Sequence, residues 1–471
     1  MKKGLLAYLG LIVLCVGGIA LFLRCGAAIG EGVTGGTALP IPVFAASAAS
    51  SHSPSPLVIL LFQIILISLA AKGMGALFRR LRQPAVIGEM FAGIVLGPSI
   101  FGAVAPGAFH YFFAPASLGP LYLLSQLGII LFLFAVGAEL DPVHLRQRLP
   151  LAIGISHASI LVPYLLGVGF AFFTYRELAP AGISFTSFAL FLGISLSITA
   201  FPVLARILSE RGLTATPLGI AALTCAALND LTAWILLALV IAVAQARGTV
   251  LAHPALILVG AVALGLLLFG VIRPLLRLYF RRHSSGSGPG PLSRGAIATG
   301  LLLSALACAV ATEKLGLHPL FGAFLAGIMA ASLPEIAEIR RAVVGQVQEF
   351  GGALLLPLFF AFTGLRTELH QIDHLRAWEL CLILIALAVA GKWGGTYLAA
   401  RTAGMARGEA SALGILMNTR GLMELVVLNI GYDLGIISPL LFSMLIVMAL
   451  ATTAMTGPLL DRALKRTSTA P

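Results

Sequence analysis

Apolar segments, most of them close to 20 residues long, follow one another from residue 57 to residue 461 with short polar links between them. A run of that length crosses the roughly 30 Å hydrocarbon core of a bilayer as an α-helix. Lipid offers no partner for backbone N–H and C=O groups, so only helices or a closed barrel can span it. Long, unalternating apolar runs are helical. Charged residues make up 10% of the chain, against roughly 25% in a soluble domain. The expected fold class is an all-α polytopic membrane protein whose solvent is the lipid bilayer. Thirteen transmembrane helices are expected, at about 57–78, 84–101, 118–140, 150–175, 183–209, 214–246, 252–280, 294–315, 318–333, 350–366, 376–402, 409–432 and 437–461.

Residues 1–56 form a separate block: Met-Lys-Lys, an apolar run from Leu5 to Leu23, then an Ala/Gly/Ser/Pro-rich linker. The run is long for a signal peptide and the small-residue stretch lies far behind it, so an uncleaved extra helix is the expectation and a cleaved leader the alternative. Either places residue 56 outside, because Lys2 and Lys3 stay in the cytosol. Alternating the loops from there puts Arg79, Arg80 and Arg82, Arg146 and Arg148, Arg211, Arg281 to Arg294, Arg340 and Arg341, Arg401 and Arg407, and Arg462, Lys465 and Arg466 on the cytosolic side. Fewer basic residues fall outside. The net charge of +12 thus reads as positive-inside topology, not as affinity for nucleic acid. The five cysteines are scattered without metal or disulfide spacing.

One low-complexity break, HSSGSGPGPLS (283–293), divides a first half (57–282) from a second (294–461), which a short tail (462–471) follows. The halves resemble each other. GEMFAGI (88–94) is echoed by GAFLAGI (322–328), and LFLFAVGAELD (131–141) by LFFAFTGLRTEL (358–369). Equivalent segments lie seven helices apart, so the repeat is inverted in the membrane. Inverted repeats place a substrate site at their interface near the bilayer midplane.

The fifth segment is interrupted by Thr199-Ala200-Phe201-Pro202. The repeat predicts a second interruption in the twelfth, and Asn418-Thr419-Arg420-Gly421 stands there. Two crossing discontinuous helices expose half-helix ends with partial charges. Their freed carbonyls and the hydroxyls of Thr199 and Thr419 are hard oxygen ligands suited to Na⁺ or K⁺. The sixth segment carries Asn229-Asp230 in mid-helix. An ionisable residue there costs on the order of 2.5–3.5 kcal/mol on insertion scales and marks function. A carboxyl group that holds either a proton or a metal ion, but not both, is the minimum device for exchange; the structural alternative is a helix-pairing Asp. Asn229 orients it or caps a break, and with one carboxylate in the pair a one-for-one electroneutral exchange is the simpler stoichiometry. Lys392 is the one lysine deep in a predicted span. It either pairs with Asp230 or neutralises a half-helix end near Thr419. Arg420 and Glu424 pair at i,i+4 or serve the ion path. Glu89 lines an access funnel or caps; Glu139 and Asp141 are boundary residues; His370 and His374 lie in a basic loop. No Ser/His/Asp set, phosphate loop or dinucleotide fingerprint stands in a usable context, so neither an enzyme nor a cofactor is expected.

SLSITAFPVLARIL (195–208), ALNDLTAWILLAL (227–239), LLLPLFFAFTGLRTEL (354–369), GKWGGTY (391–397) and LMNTRGLMELVVLNIG (416–431) resemble the monovalent cation:proton antiporters, in the branch of the CHX-type and Kef-like exchangers. The resemblance covers about 57–461. It implies a thirteen-helix fold, a homodimer joined through a panel domain, and a core domain with crossing broken helices that moves like an elevator. It makes Asp230 the ion- and proton-binding carboxylate, Asn229 its partner, Thr199 and Thr419 the residues at the breaks, and Lys392 the core lysine. Many relatives carry a cytosolic regulatory domain after the last helix; the chain ends at Pro471, so that regulation is expected to be absent or supplied in trans. The expected function is exchange of Na⁺ or K⁺ for H⁺ across a cytoplasmic-type membrane, with the C-terminus cytosolic. The alternatives are a channel-like or glutathione-gated K⁺ efflux pathway on the same fold, a non-transporting ion sensor, and uptake of an organic anion with Na⁺.

Overall fold

The computed structural model describes residues 2–30, 55–81, 83–139, 149–214, 216–245, 259–260, 262–283, 294–315 and 318–468, and these form helices and their connections only. In chain order the helices are α1 (Lys2–Gly30), α2 (Pro56–Arg80), α3 (Ala85–Leu96), α4 (Phe101–Val104), α5 (Pro106–Phe112), α6 (Leu118–Glu139) and α7 (Leu149–Leu178). Then come α8 (Phe185–Ser197), α9 (Phe201–Glu210), α10 (Pro217–Gln245), α11 (Arg273–His283), α12 (Arg294–Lys314), α13 (Pro319–Ala331) and α14 (Ala337–Phe350). The last are α15 (Leu356–Leu365), α16 (Leu375–Thr402), α17 (Arg407–Met417), α18 (Leu422–Asp433) and α19 (Pro439–Ser468). Among the described residues 11 helices are long and apolar enough to cross a membrane, or 12 if the bent pair α17–α18 is one span. That count includes α1, which stands outside the thirteen expected; ten of those thirteen are counted, or eleven with the bent pair, and the two left out are α13 and α16. One expected span, near 318–333, is the 13-residue α13, only about 20 Å long at 1.5 Å per residue.

Two other expectations change. The basic loop around Arg340 and Arg341 is the amphipathic helix α14, which runs through a π-helical turn (Gly351–Leu355) into α15. Arg340 donates to Ala330 O (3.1 Å) and Ala331 O (2.6 Å), covering the last carbonyls of α13. The short tail is not separate, because α19 continues to Ser468. Most of the linker 283–293 lies outside the described residues, as do Asp141, Arg146 and Arg148. The N-terminal run is helical from Lys2 to Gly30. It packs on α7 and α8, with Phe22 tilted against Phe172 at 5.5 Å between ring centroids.

The helices pack as two groups. One contains α2, α3, α6, α12, α13 and α15; the other contains α7, α8, α10, α16, α17 and α19, with α9 and α18 lying alongside. Each group draws three helices from each half of the sequence. The contacts are reciprocal: α2 packs on α3 as α12 packs on α13, and α6 on α13 as α15 on α3. Likewise α7 packs on α8 as α16 on α17, α10 on α7 as α19 on α16, and α9 on α10 as α18 on α19. This is the contact pattern of an inverted repeat whose halves exchange partners.

The echoed glycines sit where that exchange is tightest. A Cβ on Gly364 (α15) would lie 2.0 Å from the Gly93 carbonyl carbon (α3), and one on Gly93 would lie 2.5 Å from Phe360 O. In the mirrored contact, a Cβ on Gly327 (α13) would lie 2.2 Å from Phe134 O (α6), and one on Gly137 would lie 2.4 Å from Phe324 O. Backbones approach this closely only across small residues, the rule of helix packing in lipid. Gly364→Ala is expected to destabilise the fold by at least the 1–3 kcal/mol typical of overpacking. Gly300→Ala, which meets nothing within 4 Å, is expected to leave thermal unfolding in detergent unchanged or slightly raised. Equal unfolding temperatures for the two variants would contradict this reading of the contacts.

Candidate ion-binding site

In the second group, α8 ends at Ser197 and α9 begins at Phe201, with Ile198 and Ala200 extended between them (ψ 141° and 97°). The interruption is therefore 198–200, slightly earlier than expected. Pro202 lies in the first turn of α9, where a missing N–H costs nothing. The second interruption is as expected. Asn418 closes α17, Gly421 precedes α18, and the two half-helices are bent by 42°. Gly421 has φ 155° and ψ −127°, a region open to glycine alone, and a Cβ there would stand 2.7 Å from the Val203 side chain of α9.

The two interruptions are bonded to each other. The Ala200 N–H donates to Thr419 O (2.9 Å), and the Thr199 hydroxyl donates to Met417 O (2.8 Å), the last residue of α17. The Thr419 hydroxyl turns back to Leu416 O (2.7 Å). The end carbonyls of α17 are thus met by two threonine hydroxyls, one from each break. The amide ends of α9 and α18 have no side-chain cap and present uncompensated N–H dipoles.

α10 brings Asn229 and Asp230 to this crossing, 0% and 1% exposed. Both ends of the Asn229 side chain are engaged: its oxygen accepts from Thr199 N–H (3.1 Å) and its nitrogen donates to Ser159 Oγ of α7 (2.9 Å). Asp230 differs, because neither carboxyl oxygen has a hydrogen-bond partner among the described residues. The Lys392 charge and the Phe201 amide act on it at longer range, without a formed hydrogen bond. Lys392, 0% exposed, instead donates to the Thr199 hydroxyl (2.7 Å). It is held in this apolar setting by its neighbours in GKWGG. A Cβ on Gly391 or Gly395 would lie 2.8 Å from Pro163 Cα or 2.7 Å from Ala158 O of α7, so α16 and α7 lie backbone to backbone.

Arg420 and Glu424 form an ion pair at 3.0 Å with both side chains 0% exposed. The guanidinium also reaches across to the first broken helix. It donates from one nitrogen to Ser195 O (2.8 Å) and from the other to Leu196 O (2.6 Å), covering the carbonyl end of α8. Its backbone is clamped by Thr453 of α19, whose hydroxyl accepts from Arg420 N–H (2.9 Å) and donates to Arg420 O (2.8 Å). Ser159, Thr453 and the carbonyls of Ser195 and Leu196 are site groups that no sequence pattern singled out.

A further polar cluster joins the two helix groups away from the crossing. Arg366, at the end of α15, donates to Asp433 (2.6 Å) and to the Asn429 side-chain oxygen (3.2 Å), both in α18. Its guanidinium lies 4.5 Å from the Phe362 ring centroid, 5.7 Å from Tyr122 and 5.5 Å from Tyr432. The Asn429 amide donates to Thr363 of α15 (2.8 Å). Of the other residues considered, His374 pairs with Asp373 in an exposed loop (2.8 Å), Glu139 ends α6, and Glu89 of α3 feels the charge of Arg206 in α9.

A profile of the family described as sodium/hydrogen exchanger, transmembrane, matches residues 64–466. A Na⁺/H⁺ antiporter, NhaS4, of a Synechocystis strain is 42% identical over 406 residues, covering 86% of this chain and 96% of that protein. Cation/H⁺ antiporter 17 of Arabidopsis thaliana is 39% identical and K⁺/H⁺ antiporter 1 of Saccharomyces cerevisiae 35% identical; they cover 90% and 87% of this chain, which spans 51% and 46% of their lengths. The fold is that of the sodium proton antiporter MjNhaP1 of Methanocaldococcus jannaschii, with a TM-score of 0.62, 14% identity, and coverage of 87% of this chain and 99% of that one. The chain belongs to the sodium/hydrogen exchanger transmembrane family.

Proposed function

We infer that the chain is a secondary transporter that exchanges Na⁺ or K⁺ for H⁺, with Asp230 taking proton and cation in turn. The observation that carries this reading is the buried Asp230 carboxyl, to which no described residue supplies a formed hydrogen bond. A bare carboxylate in that setting is costly. A bound proton or a bound monovalent cation each removes the cost, and they compete for the same oxygens. The Thr199 oxygen, which donates to Met417 O and accepts from Lys392, has one lone pair left for a cation, and the Thr419 oxygen, which donates to Leu416 O, has both.

The buried charges fit one-for-one exchange. Asp230, Glu424, Lys392 and Arg420 sum to zero when all are ionised. Adding a proton or a monovalent cation at Asp230 gives +1 in either case, so each loaded form carries the same charge through the membrane while Lys392 keeps its proton. The exchange is therefore electroneutral on this reading. The test is dequenching of a pH-sensitive dye in vesicles on adding Na⁺, K⁺, Li⁺ or Rb⁺, with and without an imposed potential. Alkali cations move protons and the potential leaves the rate unchanged. Cation flux without counter-movement of protons would instead make the protein a channel.

Alternating access follows if the second helix group moves against the first, with α9 and α18 at the boundary. Arg366 and Asp433 span that boundary on the side that the arginine distribution assigns to the outside, and they act as an outer latch. Hydrogen bonds to charged groups contribute roughly 1.5–3 kcal/mol each, so Arg366→Gln is expected to shift the population toward the outward-open form by about 10- to 100-fold. Labelling of a cysteine placed at Thr363 by a membrane-impermeant reagent should accelerate accordingly; an unchanged rate would remove the latch from the account. The reading is completed by a homodimer contacting through the first group, residence in a bacterial inner membrane, and a cytosolic C-terminus.

A further inference from the structure

A cavity of about 800 Å³ opens between α16, α17 and α19, and Asp230 is not among its lining residues. Its mouth carries Arg407 and Arg462, both exposed and neither with an ion-pair partner among the described residues. Its walls are mainly apolar, Val389, Trp393, Ile415 and Leu459, with Ser411 and Thr456 among them. Its floor is Asn418, 4% exposed, whose side-chain oxygen has no partner. Eleven positions separate Arg407 from Asn418, about 16 Å along α17. That matches the roughly 15 Å of hydrocarbon in one leaflet.

Two unpaired arginines above an apolar slot one leaflet deep describe an amphipathic anion, not a cation or a free phosphate. Arginine binds phosphate oxygens bidentately, and the walls between mouth and floor are mainly apolar: of the two hydroxyls there, Ser411 accepts from Trp393 Nε1 (3.3 Å) and Thr456 donates to Thr452 O (3.1 Å). A cation entering here would first meet two positive charges, and neither Asp230 nor Thr199 lines the space. We propose that this cavity is a binding site for an anionic phospholipid, its phosphate held by Arg407 and Arg462 and one acyl chain lying along Trp393, Ile415 and Leu459. The chain end then reaches Asn418, one residue before Thr419, so the lipid lies against the bend between α17 and α18. The site is independent of which cation is exchanged.

The full chain is reconstituted in vesicles containing phosphatidylglycerol or phosphatidylcholine brominated on the acyl chain, in a Trp378→Phe background. Trp393 is 40% exposed whereas Trp234 is 3% exposed, so Trp393 dominates contact quenching. Brominated phosphatidylglycerol is expected to quench at least twice as strongly as brominated phosphatidylcholine. Trp393→Phe and the double variant Arg407→Gln/Arg462→Gln should each abolish that excess. Unlabelled phosphatidylglycerol should reverse it in the parent protein, which keeps the test decisive if the double variant fails to fold. Equal quenching by the two lipids, an excess that survives the double variant, or reversal by inorganic phosphate as well as by lipid would overturn the proposal.

Discussion

Asp230→Asn is expected to reduce cation-driven proton movement to the background of empty vesicles. The amide keeps the volume and the burial of the native residue, so the fold has no reason to change. What it loses is the negative charge and the dissociable proton. A unit charge pair at 4 Å contributes about 4 kcal/mol at an effective dielectric near 20, or roughly a thousandfold in cation affinity. Even residual affinity leaves no proton to exchange, so the coupled rate vanishes instead of shifting to higher cation concentration. Stability should move the other way, because an uncompensated buried carboxyl is replaced by a neutral group; sites built for function are often locally destabilising. An Asp230→Asn protein that unfolds at a lower temperature than the parent would indicate that Asp230 is a structural partner. Asp230→Glu retains the charge on a longer arm and should keep partial exchange.

Arg420→Ala is expected to produce the largest loss of stability among the site residues. Removing one partner of a buried ion pair costs on the order of 3–5 kcal/mol, because the other charge stays buried. Here Glu424 is left unpaired and the carbonyls of Ser195 and Leu196 lose their donors too. Arg420→Lys should rescue little, since a lysine amine lacks the planar fork that serves both carbonyls and the carboxylate together. Glu424→Gln should cost less, because an amide oxygen still accepts from the guanidinium. Thermal unfolding in detergent separates the three. Exposed pairs provide the contrast: Arg376→Ala removes the bonds to Glu379 (2.9 Å) and Glu177 (3.4 Å) and should leave the unfolding temperature nearly unchanged, as the loss of exposed pairs generally does. If Arg420→Ala unfolds no earlier than Arg376→Ala, the two broken helices are not held together through this side chain.

The parts of this site that interrupt an apolar run are legible in the sequence. Thr199–Pro202 and Asn418–Gly421 stand out because polar and helix-breaking residues are expensive in a span, and Asp230 stands out because a carboxyl there is rare. The offset at the first break has a specific cause. Pro202 reads as a breaker in a sequence, yet its ring fits the first turn of a new helix. Lys392 was identified but not its partner: the ammonium donates to Thr199, 193 positions earlier, a contact created by the close approach of α16 to α7. The reach of Arg420 to Ser195 and Leu196 is likewise set by the crossing and leaves no local pattern. The Arg366 cluster was invisible for a different reason, since a charged residue near a helix end reads first as a topology marker. In the sequence α14 reads as a loop because its charges, Glu338, Arg340 and Arg341, mask an amphipathic helix. Sequence halves also suggest two consecutive units, whereas the packing groups interleave them, because the glycine pairs 93/364 and 137/327 join helices from opposite halves.

The central claim is that a proton and a cation compete for Asp230. It is tested most directly by adding Na⁺ or K⁺ to the purified chain in a weakly buffered solution containing a pH indicator. The account predicts release of up to one proton per chain on saturation with the favoured cation, a midpoint that moves to higher cation concentration as pH falls, and no release from Asp230→Asn. Cation binding without proton release, or the same release from Asp230→Asn, would contradict it.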